Sequence, residues 1–125
     1  MTGSAPHILL VHADELVVQR FAEALDGEGY ELTVAPDGVE GLSQVDRVSP
    51  QVVVADIALP KLDGITLLRA LRARDDTRAT PFFFLTGIVD PMTMMAGLAA
   101  GARHYLTVPI QEDDLRFKLQ RLLRT

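Results

Sequence analysis

Val52-Val53-Val54-Ala55-Asp56-Ile57-Ala58-Leu59-Pro60-Lys61-Leu62-Asp63-Gly64 decides the fold. Small and β-branched apolar residues run without interruption, and an aspartate ends them. A run this short and this uniformly apolar predicts a strand covered on both faces, as in a parallel sheet. The residues beyond it break the pattern. Pro60 cannot donate to a ladder, and Asp63-Gly64 supplies turn and cap chemistry. A helix follows from Gly64 to Ala73, with Leu67, Leu68 and Leu71 inward. The stretch thus reads as strand, carboxylate, loop and helix.

The same alternation fills the chain on either side. Ile8-Leu9-Leu10-Val11 is a buried first strand, and Asp14 caps a helix that carries Val17, Phe21 and Leu25 on one face. Gly27 and Gly29 stop that helix, and Tyr30 to Val34 alternates as a second strand. Asp37-Gly38 opens a helix with Val39, Leu42 and Val45 inward, and Gln51 to Ala55 is the third strand. Pro81-Phe82-Phe83-Phe84-Leu85 is the fourth. Asp90 to Ala100 is a helix ended by Gly101, with Met95 and Leu98 on its buried face and Met92 and Met94 nearer solvent. His104-Tyr105-Leu106 is a short fifth strand. Glu112 to Leu123 closes the chain and buries Leu115, Leu119 and Leu122, while Phe117 points away from that stripe.

Five strands alternating with five helices require a parallel sheet covered on both faces. Right-handed crossovers then predict an α/β doubly wound (βα)5 fold, a flavodoxin-like three-layer sandwich with strand order 2-1-3-4-5. The 125 residues read as one domain, 1–125, with its core at about 7–123. No repeat or linker interrupts it, so an effector is expected on another chain or beyond Thr125.

Composition narrows the classes of function. The chain has no cysteine, which excludes disulfides and thiolate metal sites. The formal net charge of -5 argues against nucleic-acid binding by this domain. Arg116, Lys118, Arg121 and Arg124 read as a solvated helix end, where cations suit the dipole. Met1 to His7 lacks the pattern of a signal peptide, and no apolar run is long enough for a membrane span. A cytoplasmic location is expected.

Ligands in such folds bind beyond the carboxyl ends of the strands, at the switch between strands 1 and 3. The residues to read there are His12, Ala13, Asp14, Asp56, Thr86 and Val108. At these positions the chain resembles a response-regulator receiver domain. Three segments carry the resemblance in the right order: Asp56 to Gly64, Thr80 to Gly87, and Gly101 to Pro109. The resemblance implies two-component signalling rather than an enzyme. It makes Asp56 the phosphoacceptor, Thr86 and Tyr105 the switch residues, and Asp56 with the Ala58 carbonyl ligands of Mg²⁺. The acidic pair that helps hold the ion in that family is replaced by His12-Ala13, and the lysine before the last strand's proline by Val108. The resemblance also implies a cis peptide at Val108-Pro109.

These replacements have a physical consequence. Mg²⁺ takes oxygen ligands in octahedral geometry, and phosphoryl transfer depends on cations that neutralise the equatorial oxygens. The leading expectation is therefore an atypical receiver with impaired or absent Mg²⁺-dependent phosphorylation and no required cofactor. It would act as an interaction module through helix 4, strand 5 and helix 5, where Met92, Met94 and Phe117 suggest an interface with a signalling partner or a second copy. The alternative is a working phosphoacceptor, phosphorylated on Asp56 by a histidine kinase with Mg²⁺. His12 has three readings: a partly exposed polar strand end, a pH-sensitive partner of Asp56, or a metal ligand. Asp14 either caps the first helix or slides into the acidic-pair role. A hydrolytic or metal enzyme would need a substrate-sized crevice and a fuller set of catalytic groups than one acid, one His and one Thr. A flavodoxin-type cofactor carrier would need a Gly-rich phosphate loop where His12-Ala13-Asp14-Glu15 stands.

Overall fold

The computed structural model describes residues 5–124. Its strands are β1 (His7–Val11), β2 (Glu31–Ala35), β3 (Val52–Ala55), β4 (Phe82–Thr86) and β5 (His104–Thr107). They form one parallel sheet in the order β2-β1-β3-β4-β5. The helices are α1 (Glu15–Ala24), α2 (Gly38–Val48), α3 (Gly64–Arg72), α4 (Pro91–Ala99) and α5 (Glu112–Leu123). The predicted class and strand order are both observed, with strand ends shifted by a residue. Among the described residues, no helix is long and apolar enough to cross a membrane.

The sheet is buried on both sides because its central strands are apolar at every position. Alternation then divides the residues between two cores. Ile8, Leu10, Val52, Val54, Phe83 and Leu85 face α1 and α5, meeting Val17, Phe21, Leu115 and Leu119. Leu9, Val11, Val53, Ala55, Phe82 and Phe84 face the opposite layer, where Val45 of α2 and Leu67, Leu68 and Leu71 of α3 close over them.

Aspartates start four of the helices. Asp14, Asp37, Asp63 and Asp90 each accept from main-chain N–H groups in the first turn of α1, α2, α3 and α4. α5 lacks a side-chain cap and instead carries Glu112, Asp113 and Asp114 in its first turn, facing the positive end of the dipole.

Two helices turn differently from their apolar periodicity. Val39 of α2 is 53% exposed, against the expectation of an inward residue. The inner face there is Gly41, whose absent Cβ would lie 2.9 Å from Val11 Cγ1. In α4, Met95 and Leu98 are 69% and 47% exposed rather than buried, while Met94 is half-buried rather than nearer solvent. Gly97 is the residue that packs inward: a Cβ on it would come within 2.9 Å of the Phe84 ring. In both helices a glycine lets the backbone lie close on the sheet, and the larger side chains are left outside.

Candidate functional site

The sheet register builds the crevice. Val11 pairs with Ala55, so the next residues, His12 and Asp56, leave adjacent strands side by side. The Asp56 N–H donates to Val11 O at 3.0 Å, which fixes the acid at the strand end. The Asp56 carboxylate accepts at Oδ1 from the N–H groups of Ile57 (2.7 Å) and Ala58 (3.3 Å). Its Oδ2 faces His12 Nε2 at 3.6 Å, beyond hydrogen-bond reach. Gly64 closes the loop behind it, since a Cβ there would lie 2.1 Å from Asp56 O. Only glycine fits at that approach, a requirement that Asp63-Gly64 read as turn chemistry did not reveal.

His12 is 4% exposed, which overturns its reading as a partly exposed strand end. Its Nδ1 accepts from the Asp14 N–H at 3.2 Å. That contact places the ring proton on Nε2 in the neutral tautomer. Nε2 is then a donor directed at the Asp56 side, and it has no hydrogen-bond partner among the described residues. A ring held this way offers no lone pair to a metal ion at Nε2, so the structure favours the reading of His12 as a neighbour of Asp56 over a ligand.

Asp14 accepts from Leu16 N at 2.9 Å and Val17 N at 3.5 Å. It is the cap of α1, and the alternative of an acid sliding toward Asp56 falls. Ala13 is exposed and brings no side-chain oxygen. Of the positions the resemblance assigns to a cation, only Asp56 and the Ala58 main chain can supply oxygen. Among the described residues no group of three or more His, Cys, Asp or Glu is arranged to hold a metal ion. One carboxylate beside an imidazole N–H is a poor match to the all-oxygen shell of Mg²⁺.

The opposite wall is made by β4 and β5. Thr86 is fully buried, and its Oγ1 accepts from Ile88 N at 3.3 Å. Tyr105 donates its hydroxyl to Ile88 O at 2.7 Å. Both hydroxyls therefore meet on the main chain of one residue, which sequence reasoning did not single out because no side-chain pattern marks it. Burial raises the Tyr105 pKa, and the negative charges of Asp90 and Asp56 add to the rise. Val108 N donates to Thr86 O at 3.0 Å, and the Val108–Pro109 peptide is cis. The Val108 side chain puts a methyl, not a charge, over the Thr86 end of the crevice, with Cγ2 3.5 Å from where a Gly87 Cβ would stand.

Comparison with known proteins decides the family. The family described as the response regulator receiver domain matches residues 8–120. The chain belongs to it. Among curated receivers it is similar to the transcriptional regulatory protein TrcR of Mycobacterium tuberculosis, at 38% identity over 98% of this chain and 47% of that protein. It is 37% identical to the response regulator MprA of Mycobacterium leprae, over 94% of this chain and 50% of that protein. The chain thus spans about half the length of the curated relatives it matches. Among solved receivers it resembles the Francisella response regulator 1452 receiver domain, with a TM-score of 0.86 and 31% identity over 95% of this chain and 97% of that one. The receiver domain of sensor histidine kinase PA1611 from Pseudomonas aeruginosa, whose structure holds a magnesium ion in the active-site cleft, gives a TM-score of 0.86 at 28% identity over 97% and 99%. This receiver is therefore a signalling domain of two-component systems.

Within the receiver, Asp56, His12, Ala13 and Val108 come together at the crevice, and Thr86 and Tyr105 join through Ile88. Met92 and Phe117 lie on the surface, at 82% and 56% exposure. Met94 is withdrawn from the candidate patch, and Met95, Leu98 and Val89 take its place.

Proposed function

We propose that this receiver has lost Mg²⁺-dependent phosphorylation at Asp56 and signals as a protein-interaction module through α4, β5 and α5. The observation that carries the reading is His12. A buried imidazole stands where the family's first acidic residue would, its Nε2 without a partner and 3.6 Å from Asp56 Oδ2. Ala13 and Val108 remove the remaining side chains that would neutralise a phosphoryl group. Such a group carries nearly two negative charges, and a wall of Val108 and His12 meets it with one methyl-lined surface and one neutral donor. The exposed Val89, Met92, Met95 and Leu98, with Phe117 across β5, supply apolar area for a signalling partner, such as a kinase or an effector domain.

The second reading, a working phosphoacceptor served by a histidine kinase and Mg²⁺, is favoured by the joint anchoring of Thr86 and Tyr105 on Ile88. Intact-mass analysis after incubation with acetyl phosphate and Mg²⁺, with Asp56→Asn alongside, separates the two. The proposed function expects no phosphoryl adduct on either protein. A single adduct on the wild type that is absent from Asp56→Asn would establish the second reading.

A further inference from the structure

The outer face of α5 is charged in blocks. Glu112, Asp113 and Asp114 fill its first turn, and Lys118 and Arg121 follow Phe117 toward its other end. Asp113, Phe117 and Arg121 recur at a spacing of four, which sets them on one stripe. That stripe faces solvent: the Asp113 side chain is 99% exposed and Phe117 is 56% exposed. The Arg121 guanidinium rests 5.6 Å over the Phe117 ring and has no carboxylate partner among the described residues. Beside the stripe, a groove of about 590 Å³ runs between β5 and α5, with His104 and Leu122 in its lining and Arg103 at its rim.

The order of these charges selects the occupant. An acidic partner would meet Arg121 and be repelled by Asp113 and Asp114. A basic partner would suffer the reverse. The matching surface has a cation, an aromatic ring and an anion in the opposite direction, which is α5 itself turned end for end. A two-fold axis through Phe117 places residue 121 of one copy opposite residue 113 of the other, about 6 Å along the helix on either side. Such a contact is isologous and closes after two copies.

We propose that two copies of this receiver pair through antiparallel α5 helices, with Phe117 at the two-fold axis and Arg121 of each against Asp113 and Asp114 of the other. The inference rests on the reading of the α4, β5 and α5 face as the signalling surface, and it names a second copy as one occupant of that face. The pair buries one helix stripe and its groove, so it belongs to the small, concentration-dependent class of interfaces. The α4 residues Met92 and Met95 are left uncovered for a different protein.

Analytical ultracentrifugation of the full chain from micromolar to millimolar concentration tests this. Wild type, Phe117→Ser, Arg121→Glu, Asp113→Arg and the exchange Asp113→Arg/Arg121→Glu are compared, with circular dichroism to confirm that each is folded. The wild type is expected to dimerise, and each single substitution to weaken dimerisation on the order of tenfold. The exchange recreates opposite charges across the axis and is expected to recover most of the loss. A wild type that stays monomeric to millimolar concentration overturns the inference. A dimer indifferent to both charge reversals, or one that the exchange fails to rescue, overturns it as well. None of these outcomes bears on Asp56, whose phosphoryl adduct decides the proposed function separately.

Discussion

The two halves of the crevice have diverged to different degrees. The half built by β3, β4 and Tyr105 keeps the reacting carboxylate, its enclosing loop and both switch hydroxyls in contact. The half built by the ends of β1 and β5 keeps the backbone path, down to the cis Val108–Pro109 peptide, but carries His12, Ala13 and Val108 in place of charged groups. The difference teaches that strand register and loop closure hold the scaffold without help from the cation-holding side chains. Leu9, Val11, Val53 and Phe84 determine where Asp56 stands, and none of them touches a phosphoryl group.

If the comparison is right, charge alone separates the halves. The triple substitution His12→Asp/Ala13→Asp/Val108→Lys should then convert the pocket, raising the rate of Mg²⁺-dependent adduct formation from acetyl phosphate by about 100-fold, on the scale that metal-site partners command. Intact mass against time measures it, and an unchanged rate would mean that the retained half is also defective. The retained half should in turn be intolerant of added volume. Gly64→Ala drives a Cβ toward Asp56 O and is expected to cost about 1–3 kcal/mol in urea denaturation, whereas Ala13→Ser at the exposed end of β1 should shift the midpoint little.

Smaller effects sharpen the picture. Tyr105→Phe removes the donor to Ile88 O and should destabilise by about 0.5–1.5 kcal/mol, read from the same urea curves. The caps that follow β3 and β4 should make that half sensitive to acid. The Thr66 N–H and hydroxyl and the Ile65 N–H outweigh the upward push of burial and hold Asp63 below its ordinary range, and the Thr93 N–H does the same for Asp90. A carboxyl whose pKa is lower folded than unfolded stabilises the fold above its unfolded pKa, and that stability is lost as pH falls through the folded value. Melting temperature should therefore drop as pH falls below the usual carboxylate range, with a shallower drop in Asp90→Asn. An equal slope in the variant would remove Asp90 from the account.

Most of the fold was legible because the strands are pure apolar runs and the helices open on Asp caps. Those signals are local, and Val52 to Ala55 or Asp63 state them without reference to the rest of the chain. Helix rotation was less legible. The positions of Val39, Met95 and Leu98 depend on Gly41 and Gly97, and a glycine enters no count of apolar periodicity although it decides how near a helix lies. At the site, the residues beyond each strand were found from topology and resemblance together. The burial of His12 was not, because it depends on the neighbouring strand and on the Asp14 main chain. Ile88 was invisible for a related reason, since it contributes through its peptide groups.

That last property has a bearing on how the domain can change over time. The link between the ends of β4 and β5 runs through the N–H and C=O of Ile88, which every residue but proline provides. Substitutions at position 88 can drift freely in size and polarity while the connection between Thr86 and Tyr105 persists. A scan that replaces side chains one by one would pass over the residue on which the two hydroxyls meet.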